Sequence, residues 1–395
     1  SQLSPMAEPF LPYGRQSLDA ADIQAVVDVL NSDFLTQGPA IPRFEKAVAG
    51  WCGAKHGIAM ANGTATMHLA AKAMGLTHGD WLWTSPITFV ASANAGRYCG
   101  AQVDFVDVDP GTVNLCPERL EAKLVQAEKD GKLPKIVIPV HFTGQSCAMD
   151  RIHALGQKYG FKIIEDGAHA LGGSYKGERT GNCRWSDAVS HSFHPVKIVT
   201  SGEGGMITTQ DDELAWKIGM LRTHGITRDT DRMVGESDGP WYYQQLDLGY
   251  NFRMTDMQAA LGASQMDKLE TFSTRRREIA DLYDKALAGL PLRPLARDPD
   301  GVSGWHLYMI RLKLDEITKT RREVFDSLRA QNIGVNVHYI PVHLQPDYQR
   351  LGFKAGMFPE AERYYQEAIT LPMFPAMRDE DILRVRDALV VATGV

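Results

Sequence analysis

No apolar run in the chain approaches the roughly 18 residues needed to span a bilayer, so membrane-spanning roles are set aside. Positive charge is not in excess: 42 Lys and Arg face 48 Asp and Glu, for a formal net charge of −6. A nucleic-acid binder needs a basic surplus to neutralise phosphates, and none exists here. Cysteine is scarce, with Cys52, Cys99, Cys116, Cys147 and Cys183 widely scattered. No C-x-x-C occurs and no Cys/His pair has zinc-ligand spacing, so no metal is expected. An odd number of cysteines without a secretory leader reads as reduced thiols packed in the core. Ser1-Gln2-Leu3-Ser4-Pro5 has neither the basic nor the apolar stretch of a signal peptide, and a cytoplasmic location is expected. Gly (36) and Pro (20) hold an ordinary share, which excludes collagen-like and low-complexity chains. Neither G-x-G-x-x-G after an early strand nor a Walker P-loop is present, which argues against a nicotinamide- or nucleotide-dependent oxidoreductase.

What is present is an alternation of helical and strand-like patterns over 395 residues, enough for two or three domains at about 150 residues each. Asp22–Leu30, Thr66–Met74, Pro117–Asp130 and Asp150–Tyr159 have helical spacing. Between them, Val103–Val108, Ile136–Val140 and Phe161–Glu165 are short apolar runs suited to strands buried on both faces. Repeated strand–helix–strand units predict an α/β fold, a three-layer sandwich around a mostly parallel sheet. Farther on, Asp212–Arg222 reads as a helix, and Gly225–Gly239 as a polar loop covering a site or an interface. Met254–Tyr283 reads as one long or broken helix. Strands at Trp305–Leu312 and Ile333–Ile340, with helices at Arg321–Gln331 and Pro359–Thr370, predict a smaller α+β C-terminal domain. The expected division is 1–260 and 261–395.

Four segments carry candidate chemistry. The strand ending Ile163-Ile-Glu-Asp166 puts a carboxylate where open α/β sheets bind ligands, although a lone Asp there is more often a cap. Lys197 sits between Pro195 and Gly202-Glu-Gly-Gly205, on constrained backbone beside a flexible turn. A lysine partly removed from water loses its proton more easily and forms Schiff bases, whereas a solvated loop lysine does nothing. Asn62-Gly63-Thr64-Ala65-Thr66 opens a helix, whose free N–H groups and dipole favour a phosphate. Phe89, in Pro86-Ile-Thr-Phe, offers an aromatic face to a flat ring or to the core. Jointly these are an imine-forming amine, a carboxylate, a phosphate cradle and an aromatic platform. A phosphorylated pyridine aldehyde needs each of them, which points to pyridoxal 5′-phosphate (PLP).

The segments Ser192-Phe-His-Pro-Val-Lys197, Gly202-Glu-Gly-Gly205 and Glu165-Asp-Gly-Ala-His169 resemble the DegT/StrS family of nucleotide-sugar aminotransferases. The resemblance extends from Tyr13-Gly-Arg-Gln to Val337-His-Tyr-Ile-Pro-Val-His343. Leu35-Thr-Gln-Gly-Pro39, Trp81-Leu-Trp-Thr-Ser-Pro86 and His338-Tyr-Ile-Pro-Val-His343 are most similar to the pseudaminic-acid branch, which aminates C4 of a UDP-linked 4-keto-6-deoxy-N-acetylhexosamine with L-glutamate as donor. The resemblance implies an aspartate-aminotransferase-like fold and a homodimer with composite sites. It implies catalytic roles for Lys197, Asp166 and His169: Lys197 joined to the cofactor's aldehyde, Asp166 on the pyridinium nitrogen, His169 near the phenolic oxygen. Phe89 would stack on the ring, and Gly63, Thr64 and Ser192 would hold the phosphate with Asn251 of the neighbouring subunit. Tyr13, Leu35, Thr36, Gln37, Gly38, Val337, His338, Tyr339 and Ile340 would line the sugar site. Many relatives carry serine where Gly63 stands, so Thr64 or Thr66 would have to compensate. The lysine at 197, where family dehydratases carry histidine, implies transamination.

Other readings compete. Another nucleotide-ketosugar aminotransferase of the same family has the same motifs, and a non-catalytic PLP sensor would share the fold. Gly235-Glu-Ser-Asp-Gly239 matches the hydrolase pattern G-x-S-x-G, but its polar flanks and Pro240 do not suit a strand–turn–helix elbow.

Overall fold

The computed structural model describes residues 8–395, and the reading of Ser1–Pro5 lies outside them. Seven strands form the central sheet, in the order His56–Met60, Gly205–Thr209, Ala188–Ser192, Lys162–Asp166, Ile136–Ile138, Trp81–Thr84 and Gln102–Phe105. Every neighbouring pair is parallel except the two made by Gly205–Thr209, which runs against both partners. Strand alternation divides the side chains between two apolar layers. Ile136, Ile138, Ile58 and Ile207 face the helices Gly63–Ala73, Ala91–Tyr98 and Asp212–Leu221. On the other face Val137 and Ile163 meet Pro117–Asp130 and Met149–Tyr159, while Ala59 and Met206 meet Ala40–Cys52 and Asp256–Met266. The three-layer α/β/α sandwich is therefore present.

The helix Pro117–Asp130 shows how local sequence sets these layers. Pro117 occupies the first turn, where its missing N–H is not needed. Leu120, Leu124 and Ala127, spaced four and three apart, are buried on one face. Gly131 in left-handed conformation ends the helix.

A second, antiparallel sheet of Leu292–Pro294, Tyr308–Leu312 and Ala368–Leu371 packs with the helices Leu269–Ala286, Arg321–Ala330 and Asp379–Thr393. Leu11 joins this core, exchanging backbone hydrogen bonds with Asn332 and Gly334. The segment read as one long or broken helix is broken, at Asp267–Lys268. Two expectations are corrected. Ile333–Ile340 is not a strand: only Ile333 and Asn336 make isolated bridges, to Leu11 and Thr370, so no ladder exists to extend it. The helix expected to reach Thr370 stops at Glu367, because Ala368-Ile-Thr-Leu371 pairs with Tyr308–Arg311 instead. Gly235–Gly239 lies in an exposed loop with neither strand before it nor helix after it, which rules out a nucleophile elbow. No helix among the described residues is long and apolar enough to cross a membrane.

One glycine ties the sheet to the site. A Cβ on Gly205 would fall 2.4 Å from the carbonyl carbon and oxygen of Asn62 and 2.7 Å from the Gly63 nitrogen. All three are backbone atoms that cannot swing away. Gly205→Ala is expected to destabilise the fold by about 1–3 kcal/mol, as over-packing does. It is also expected to displace the 62–64 turn, the expected phosphate cradle, so thermal melts and titration with the expected PLP check both effects.

Candidate active site

A cavity of about 470 Å³ opens at the C-terminal end of the sheet, lined by Lys197, Asp166, His169, Phe89, Gly63, Thr64, Ser192, Tyr13, His338 and Tyr339. These residues come from segments more than 300 positions apart, and the fold brings them around one space.

Asp166 ends the strand Lys162–Asp166 and is 6% exposed. Its Oδ1 accepts the Ala168 N–H (3.1 Å), and its Oδ2 accepts the Ser92 hydroxyl (2.7 Å). Since Ser92 donates there, the hydroxyl of Thr88, 2.7 Å away, donates to Ser92. The carboxylate is thus oriented from both oxygens before any ligand arrives. Lys197 follows a turn closed by its N–H to the His194 carbonyl (2.9 Å). Burial pushes its amine down to about 8, with the Asp166 charge pulling the other way. The neutral, nucleophilic form is therefore far more accessible than on a surface lysine. Cofactor uptake by the cofactor-free protein is accordingly expected to rise with pH and level off above about 8.

At the opposite wall, Asn62 caps the helix Gly63–Ala73 by accepting the Ala65 N–H (2.8 Å). The first amides of that helix, at Gly63 and Thr64, border the cavity and have no acceptor within their own helix. A Cβ on Gly63 would come within 3.2 Å of the Ser192 Cβ, so the glycine leaves room for Ser192 beside the turn. Thr66 does not compensate for a missing serine hydroxyl: it is buried and bonded to the Gly63 carbonyl and to Ser190. Thr64 does border the cavity. Phe89 is 60% exposed at the cavity's edge, free to meet a flat ring. His169 accepts the Thr143 N–H at Nδ1 (3.1 Å) and lies 3.0 Å from the Tyr339 hydroxyl at Nε2.

Other expected residues lie elsewhere on the single chain. Gln37 and Gly38 line a separate hollow of about 360 Å³ with Arg222 and Arg253. Asp256 pins that loop, accepting the N–H groups of Gly38 and Ala40, while its own N–H bonds the Leu35 carbonyl. Thr36 bridges Thr255, and Asn251, which is exposed, bridges Thr223 at the same surface. Val337 packs into a core cluster, and Ile340 is exposed. Asn62, from the expected phosphate turn, also lines the cavity, as do Thr88, Ser92, Ser190 and His306, for which the sequence suggested no role. Thr88 and Ser92 had one usable signal, a spacing of four beside Phe89.

A neutralisable amine, a pre-oriented carboxylate and a helix N-terminus around one cavity fit the aldehyde, ring nitrogen and phosphate of PLP. The comparisons with known proteins agree. Residues 16–390 match the DegT/DnrJ/EryC1/StrS aminotransferase family. This chain belongs to that family. It is a PLP-dependent sugar aminotransferase. It is 41% identical over 384 residues to the spore coat polysaccharide biosynthesis protein SpsC of Bacillus subtilis, covering 96% of each chain. Its fold matches PseC of Helicobacter pylori, an aminotransferase involved in the biosynthesis of pseudoaminic acid, with a TM-score of 0.89 at 28% identity, covering 98% of this chain and 99% of that one. The PLP form of the Streptococcus pneumoniae sugar aminotransferase Spr1654 matches with a TM-score of 0.87 at 29% identity over 98% and 99% of the two chains. As a transaminase, the chain is not the non-catalytic sensor considered above.

Proposed function

We propose that the aminotransferase moves the amino group of L-glutamate to C4 of a UDP-linked 4-keto-6-deoxy-N-acetylhexosamine, the amination step of the pseudaminic acid route. The observation that carries the catalytic part is the meeting of Lys197 and Asp166 in one cavity with the Gly63–Thr64 turn. The likeness to PseC supports the sugar.

When bound, PLP supplies an aldehyde that condenses with amines and a ring that withdraws electrons from the adjoining carbon. Lys197 holds the aldehyde between turnovers. Once released, its neutral Nζ takes the proton from the donor's α-carbon and returns a proton at sugar C4 in the second half-reaction. Asp166, fixed by Ser92 and Ala168, keeps a proton on the ring nitrogen. The Gly63 and Thr64 amides and Ser192 hold the phosphate, which keeps the cofactor in place while Lys197 is detached. Tyr13, His338 and Tyr339, which line the cavity, face the sugar in this reading. In this reading Asn251 and the Leu35–Gly38 loop serve the site of a second copy in a homodimer, because both lie outside this chain's own cavity.

The higher identity to SpsC favours a second reading, in which the acceptor is a different nucleotide ketosugar. Glutamate is expected to bleach the visible absorption of the PLP-loaded protein, and the UDP-linked 4-ketosugar to restore it. Restoration only by a ketosugar on another nucleotide would replace the first reading with the second.

A further inference from the structure

Arg276 is among the largest fully buried side chains, and among the described residues no acidic group offsets its burial. A guanidinium is costly to remove from water, and burial pushes this one down to about 10. Its Nη1 donates to two consecutive carbonyls, Trp305 (3.0 Å) and His306 (3.2 Å), and its Nε has no partner. The segment it grips reaches the active cavity. His306 lines that cavity and packs against His169, with ring centroids 4.5 Å apart and the planes tilted by 55°. Its N–H donates to the Thr143 carbonyl (2.9 Å), and the Thr143 N–H donates in turn to His169 Nδ1 (3.1 Å). The contact is held under strain: Thr143 and Trp305 both have positive φ, 65° and 52°. A Cβ on Gly144 would lie 2.7 Å from the Trp305 nitrogen, so the two loops touch backbone to backbone.

The hydrogen-bond directions then fix the protons. A ring nitrogen that accepts an N–H carries no hydrogen, so neutral His169 is protonated on Nε2. That N–H points at the Tyr339 oxygen, leaving the tyrosine's own hydrogen free to donate elsewhere. We propose that Arg276 is a positioning residue for the transamination site: through the Trp305 and His306 carbonyls it holds the Thr143 peptide on His169, which keeps the His169 proton on Nε2 and turns the Tyr339 hydroxyl proton into the cavity. This rests on the reading of the cavity as the transamination site. Tyr339 thereby becomes a fixed donor toward an electron-rich oxygen of cofactor or sugar. His169 stays neutral because it is buried and because Lys197 and His141 set positive charge against it, while His338, pushed down to about 4 by burial, is neutral too; His306 and Tyr339 supply its nearest other faces.

Nitrogen NMR of the wild-type protein, without cofactor or substrate, is expected to show His169 protonated on Nε2 and not titrating between about pH 6 and 8. In Arg276→Met the Thr143 N–H is no longer held on Nδ1, so His169 is expected to populate the Nδ1-protonated tautomer beside the Nε2 one while staying neutral. The same variant is expected to lose about a hundredfold in kcat with little change in KM for the sugar, as misplaced groups do. Arg276→Lys, which keeps donors for the two carbonyls, restores the Nε2 tautomer and most of the lost kcat. Wild-type His169 protonated on Nδ1 would overturn the proposal, and so would an Arg276→Met enzyme with an unmoved tautomer. If Arg276→Met does not fold, the wild-type tautomer decides by itself. The expected tautomer in a protein that transfers no amino group would support the relay while ending the functional reading.

Discussion

Lys197→Ala is expected to abolish transamination, lowering turnover by at least about three orders of magnitude, as loss of a proton-transferring group does. The same substitution removes the visible absorption of the lysine-bound cofactor, because among the described residues no other lysine lines the cavity. It also has a consequence for stability with a definite sign. The folded state lowers the lysine from 10.5 to about 8, so folding disfavours its proton. That penalty is fully present below about pH 8 and fades as pH rises from there to the unfolded value. It amounts to roughly 3 kcal/mol at 1.36 kcal/mol per unit, offset in part by the methylene contacts that alanine loses. The cofactor-free variant is therefore expected to melt higher than the wild type at pH 7, with the gap closing in alkali. Calorimetry of the cofactor-free proteins across pH checks this without reference to activity. A variant that still turns over, or melting differences indifferent to pH, would remove Lys197 from its place.

That lysine was visible in the sequence because proline and glycine bracket it, a local signal that survives without the fold. Asp166 was visible for a similar reason, as the end of a run of buried apolar residues. Strands of the sheet with polar interiors were harder to see. Gly205–Thr209 is buried throughout, yet ends in Thr208 and Thr209. Their hydroxyls are satisfied inside, Thr208 by the His191 ring and Thr209 by the Asp187 carbonyl. Ala188–Ser192 hides in the same way, with Ser190 bonded to Thr66. Ile333–Ile340 shows the converse: β-branched residues read as a strand, but Ile333 and Val335 are buried by core packing, Ile340 is exposed, and only two isolated bridges form. His306 and Arg276 gave no local signal, because they act on His169 through Thr143, more than 130 positions earlier in the chain. Contacts of that range are properties of the fold and leave no spacing to read.

Asp166→Asn separates charge from shape at the other pole of the site. The asparagine can keep its oxygen on the Ala168 N–H while its amide group faces Ser92. Ser92 can accept that new donor by rotating its hydroxyl, since the bond between Ser92 and Thr88 can run in either direction. No buried polar atom is stranded, so the fold is expected to lose no more than about 1 kcal/mol, the worth of one ordinary hydrogen bond. The negative charge that holds a proton on the ring nitrogen is gone, however, and with it the electron withdrawal that makes the donor's α-proton acidic. Loss of one oriented electrostatic partner lowers rates by about a hundredfold to a thousandfold. Cofactor affinity is expected to change far less, because the phosphate cradle and Lys197 are untouched. Single-turnover kinetics with glutamate, beside a PLP titration and a thermal melt, give the three quantities. An unchanged rate would show that Asp166 does not face the ring nitrogen. A rate that fell only as far as affinity or stability would reduce the carboxylate to a structural contact. The expected pattern, a large kinetic loss on an intact and loaded protein, requires the charge itself at the end of the strand Lys162–Asp166.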